Sequence, residues 1–206
     1  MKKALIPMLL LLTVLLIGCS QKAKEEVKEV SSKTKISKMG SIDADYSIPA
    51  NSEEIIGKSE DIIKIKLVQN KIIGNYDNEK MEYNSTISEV EVLESYKGNF
   101  KKGDKIAVSE PWYLNDGDYE SIENYIAIEQ DEEYTLFLRG GHDDQKISSI
   151  ISMGYGKFNK DLKEKEATLS DFDNLGEVEK FNFISENEEE VVNYKEIKAD
   201  VIKDYN

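Results

Sequence analysis

One cysteine, three prolines, one histidine, one tryptophan and one arginine stand among 206 residues. A lone cysteine excludes an internal disulfide, so a folded domain must be held by burial alone, and the length suffices for one packed core. A formal charge of −14 works against nucleic-acid binding, which needs a basic groove to release counterions. Long apolar runs are also scarce. The one sustained stretch, "ALIPMLLLLTVLLI" at residues 4–17, is too brief for a permanent transmembrane helix.

Lys2 and Lys3 precede that run and make it a secretory signal over residues 1–18. The cysteine closes it in "LLIGCS". Leu16-Ile17-Gly18-Cys19 resembles the lipobox of bacterial lipoproteins, in which a branched apolar residue, a small residue and Cys meet at the cut. The resemblance implies cleavage before Cys19, a diacylglyceryl thioether on its sulfur, and stable anchorage at the extracellular face of the cell membrane. Scarce arginine beside abundant asparagine and isoleucine is common usage in AT-rich bacterial genomes, and a Gram-positive surface is expected.

Removing residues 1–18 takes away Lys2 and Lys3 and moves the formal charge from −14 to −16. Residues 19–48 are lysine-, glutamate- and serine-rich with few large apolar side chains, and are expected to form a disordered tether. Six lysines and three glutamates in residues 22–38 give it +3, leaving −19 on residues 39–206. The basic tether would lie against anionic headgroups, or act as an ordinary solvated linker.

A single domain is expected over 49–206. "NSEEIIGKS" offers a polar cap and early acids for a short helix. In "EDIIKIKLV" the period becomes two, with Ile63, Ile65 and Leu67 on one face. "STISEVEVLESY" alternates likewise until the phase slips at Leu93, which predicts a bulge. "KIAVSE", "EYTLFL" and "KISSIISMGYGKF" add further strands, read as a meander. "SENEEEVVNYKEIKADVIKDY" carries a capping-box pair, Ser185 and Glu188, and an apolar stripe through Val191, Tyr194, Ile197, Val201 and Tyr205. That stripe is expected to pack on the sheet. The fold class is therefore mainly β: a small antiparallel barrel with a short N-terminal helical turn and a C-terminal amphipathic helix.

"DIIKIKLV", "TISEVEVLESYKGNFKKGDKIAV" and "EEYTLFLRGG" followed by "KISSI" together resemble the netrin-like domain of the tissue inhibitors of metalloproteinases, an OB-type barrel. Tyr96-Lys97-Gly98 between two strands is the most specific part. The resemblance implies fold and a general binding role. It does not carry inhibition, because Cys19 would be lipid-modified and tethered away from the barrel.

Chemistry is sparse. His142 in "RGGHDD" reads as a turn residue or, with Asp143 and Asp144, as a metal cluster that three successive residues rarely form. "SKTK" at 32–35 fits Ser-x-x-Lys but has no partner motif. "DFDNLGEVEKFN" opens like an EF-hand, yet Leu175 and Asn182 break the ligand set. Asp116, Asp118 and Glu120 alternate in "NDGDYE" as a weak oxygen-ligand site or a solvated loop. The richest surface is "EPWYLNDGDY", where Trp112, Tyr113 and Tyr119 form a ligand-binding loop for sugar or peptide, unless Trp112 plugs the barrel end.

The expected function is a non-catalytic, membrane-anchored extracellular module that binds a protein, peptide or glycan of the envelope. It would use no cofactor and bind no nucleic acid. The alternatives are an extracellular hydrolase using acids such as Asp116 and Asp118, and a structural or immunity-type surface lipoprotein.

Overall fold

The computed structural model describes residues 30–77, 80–83, 85–144 and 146–205. The signal segment 1–18, its cleavage residues Leu16 and Gly18, and Cys19 lie outside the described residues. No helix among the described residues is long and apolar enough to cross a membrane.

The elements run β1 (Ile36–Ile42), α1 (Ser52–Lys58), β2 (Asp61–Ile72), β3 (Gly74–Asp77), β4 (Lys80–Tyr83), β5 (Thr86–Lys97), β6 (Lys105–Glu110), β7 (Trp112–Asn115) and β8 (Asp118–Ile122). They continue with β9 (Glu133–Gly140), β10 (Ile147–Ile150), β11 (Lys157–Phe158), β12 (Lys163–Glu166), β13 (Phe181–Ser185) and α2 (Glu188–Tyr205).

Five strands close a barrel. β2 pairs antiparallel with β5, β5 with β6, and β9 with both β2 and β10, while β6 and β10 run parallel. Counting β2, β5, β6, β9 and β10 as the first to fifth barrel strands, the order is 1-2-3-5-4 and back to 1, an OB-like barrel. This corrects the meander reading: alternation reports which face a residue occupies and is silent about which strand lies beside it. The bulge is where the phase slip puts it, since Lys64 pairs Glu94 and Ile65 pairs Val92, leaving Leu93 extra. "KISSIISMGYGKF" holds β10 and β11, separated by a 3-10 turn at Met153–Gly156.

Inside the barrel Ile63, Ile65, Val90, Val92, Val108, Leu136 and Leu138 are buried. Outside it, α2 covers β13 and its neighbours: Tyr194 stacks on Phe183 at 4.3 Å and on Phe158 at 5.1 Å, with Val191, Ile197 and Val201 buried beside it. The helix begins two residues later than the capping box predicts. Asn187 Oδ1 accepts from Glu189 N–H, while the Ser185 hydroxyl donates to Glu190. α1 starts on Asn51, whose side chain accepts from Glu54 N–H.

A second sheet, in the order β1-β8-β7-β3-β4, covers one barrel end. Position follows from connectivity, because β2 runs straight into β3 and β6 into β7. The segment Ala167–Ile184 closes the same end, contributing buried Leu169, Phe172, Leu175 and Val178. Here the expected tether is corrected: residues 30–48 are described, and Ile36–Ile42 pairs in parallel with β8. Thr34 and Ser32 carbonyls accept from Leu175 and Gly176 N–H. As an edge strand β1 buries only Ile36 and Gly40 of its seven residues, so it shows no alternation that a sequence reading can detect.

Candidate functional site at the barrel mouth

Of the two readings of the aromatic stretch, a ligand-binding loop or a plug of the barrel end, the structure has the plug. Trp112 and Tyr119 are fully buried and stack at 5.3 Å, and Tyr113 is 3% exposed. The stretch is the β7–β8 hairpin, with Trp112 opposite Ser121 and Asn115 opposite Asp118. Its two-residue turn is Asp116-Gly117, with φ values of +48° and +93°, the primed geometry that matches strand twist. Asp116 and Asp118 thus serve the turn. Glu120 is buried and accepts from Tyr113 OH at 2.9 Å and Asn115 Nδ2 at 3.0 Å. Among the described residues, no three His, Cys, Asp or Glu side chains are grouped to hold a metal, those three included.

Beneath the plug lies a polar centre that periodicity cannot reveal. Tyr125–Glu129 has no regular secondary structure and is largely buried, so its backbone groups need side-chain partners. Glu110 accepts from Ile128 N–H at 2.8 Å, from Tyr125 OH at 3.0 Å and from the Ser88 hydroxyl. Lys157 donates to the Ile126 carbonyl at 2.5 Å and lies over the Tyr125 and Tyr134 rings. Tyr119 OH donates to the Tyr125 carbonyl, and Tyr134 OH accepts from Glu129 N–H. Burial raises the Glu110 carboxyl above its ordinary range against the pull of these donors and of Lys157. The same burial lowers Lys157 to about 8, opposed by Glu110 and Glu129. Glu129 is raised to about 7, first by burial and then by Glu179. These groups hold the strap in place.

The opposite end, where β2, β6 and β10 begin, is the mouth. Asp61 is fully buried; its Oδ1 accepts from Asn99 N–H at 2.9 Å and its Oδ2 faces His142 Nε2 at 2.6 Å. A carboxylate can only accept, so Nε2 carries the proton. The His142 side chain is 35% exposed, and its ring stacks on Phe100 at 4.8 Å. Lys101 and Lys102 follow Phe100 in the chain and are exposed.

The Tyr96-Lys97-Gly98 motif builds this end. Tyr96 packs on Tyr205 of α2 at 5.1 Å. Lys97 Nζ donates to the Ile56 and Ser59 carbonyls at the end of α1. Gly98 crosses Asp61 so closely that a Cβ would stand 1.8 Å from Oδ1. The sequence reading singled out His142 and this motif but missed Asp61, which is 81 positions away from the histidine. The available signal was an acid immediately before the alternating run that opens with Ile62 and Ile63.

Two other surfaces are less selective. Across β5 and β6 the outward residues Ile87, Glu89, Ala107 and Ser109 are small, aliphatic or charged, and Glu89 pairs with Lys71 at 3.3 Å. That face presents no ring for base stacking. A polar cavity of about 290 Å³ between Glu133 and Asn159 is internally paired, with Lys64 on Glu133 at 3.0 Å and Asn159 on Glu132 at 2.8 Å. No family model, curated protein or solved structure matches the chain.

Proposed function

We propose that the protein is a lipid-anchored extracellular binding module, non-catalytic, that presents the barrel mouth to a protein, peptide or envelope polymer. The observation that carries the reading is the His142–Phe100 stack, fixed from below by a fully buried carboxylate and open to solvent above. Holding a side chain in one orientation before contact lowers the entropic cost of binding. An aromatic pair whose Phe100 is followed in the chain by exposed Lys101 and Lys102 suits a ligand with a flat apolar group and nearby acceptors.

The test is crosslinking in cells with the parent protein and with Phe100→Ala plus His142→Ala. Loss of a dominant envelope partner from the double variant, with its thermal midpoint held near the parent value, supports the reading. Unchanged recovery would move binding away from the mouth. A second reading, hydrolysis, draws on the same pair, since a carboxylate that orients an imidazole is half of a nucleophilic set. Turnover by the parent that vanishes in His142→Ala would replace binding with catalysis.

A further inference from the structure

The basic excess assigned to a tether by composition lies within the folded unit. Residues 20–29 hold three lysines and three glutamates and are neutral in sum, whereas residues 30–42 hold Lys33, Lys35 and Lys38 and no acid. Those lysines lie at the plugged end, where Lys35 bridges to Asn174 and β1 begins. Lys38 is engaged by Asp173 at 3.0 Å, but among the described residues Lys33 and Lys35 make no ion pair. Of the neighbouring acids, Asp171 accepts from Thr168 N–H, Glu177 accepts from Asp173 N–H and Asn174 Nδ2, and Asp43 and Asp45 follow β1 in the chain. Met39 stands on the bulge of β1 at 74% exposure, the most exposed large apolar side chain described.

We propose that Lys33, Lys35 and Met39 dock the plugged end of the barrel on an anionic lipid surface; this rests on Cys19 carrying the anchor. The chain between Cys19 and Val30 spans ten residues, at most about 40 Å when extended. That short leash keeps this end near the bilayer, while the rest of the strongly acidic domain is repelled from it. Two lysines supply the attraction and one methionine the apolar contact. Docking would point the mouth, at the other barrel end, away from the membrane.

The experiment uses the full-length lipidated protein in vesicles of phosphatidylcholine, with or without phosphatidylglycerol, and a fluorophore on Met39→Cys or on Asn99→Cys. Mass spectrometry of the same preparation reads the lipid on Cys19. The expected result is quenching by a lipid-borne quencher at position 39 and not at 99, only in anionic vesicles. Lys33→Gln and Lys35→Gln should each reduce the docking equilibrium constant roughly fivefold. Lipid on Cys19 with no quenching at 39, with equal quenching at both positions, or with equal quenching in neutral vesicles overturns docking and leaves the anchor standing. No lipid on Cys19 overturns the anchor and docking together.

Discussion

Gly98 turns at φ +97°, and any side chain there would strike the Asp61 carboxylate. Gly98→Ala should therefore cost on the order of 3 kcal/mol in urea unfolding, combining left-handed strain with a steric clash. Asp61→Ala in the same chain should remove the clash and recover part of that loss, so the two effects should not add. Asp61→Asn should keep the acceptor for Asn99 N–H and weaken the hold on His142. Upfield ring-current shifts of the His142 protons, measured by NMR, should then diminish as the stack on Phe100 loosens. A turn with glycine was readable from "YKGN", as was an unusual lone histidine. Their dependence on Asp61 was not, because that contact exists only once β2, β5 and β9 lie side by side.

Regular elements advertise themselves and irregular ones do not. The stripe Val191, Tyr194, Ile197, Val201 was evident because a helix repeats its buried face, and Tyr194 occupies the centre of that face between Phe158 and Phe183. Tyr194→Ala should cost roughly 3–5 kcal/mol, as removal of a large buried ring does. The strap Tyr125–Glu129 has no repeat, so nothing in "YIAIE" foretold that side chains from four strands would satisfy its backbone. It gives a pH signature. A carboxyl raised from 4.5 to about 7 in the fold binds its proton more tightly folded than unfolded. Its contribution is fully present below pH 4.5 and lost as pH rises toward 7. Glu129→Gln should equal the parent near pH 4 and exceed it in stability above pH 7, checked by thermal unfolding across that range.

The folded unit begins earlier than composition indicates. Alternation in β2, β5 and β6 identified the barrel, because those strands bury one face regularly. β1 escaped notice because an edge strand that buries two of seven residues resembles a polar linker. Limited proteolysis of the protein should accordingly leave a resistant core starting near residue 30 rather than 49. The buried aromatic plug has a similar lesson: Trp112, Tyr113 and Tyr119 cluster in sequence whether they meet a ligand or one another, and only the closed hairpin decides between them.

β1 also sets an order of events. A ribosome makes the chain from its N-terminus, so Ile36–Ile42 emerges before its partner β8 and long before Asn174–Gly176, which bind the backbone at Ser32–Lys35. Contacts of such sequence separation close late. Until they close, the segment before α1 is slack and the nascent barrel has a longer radius of travel from its first residues. Closing those contacts takes up the slack in residues 30–42 and shortens the reach between Val30 and the barrel.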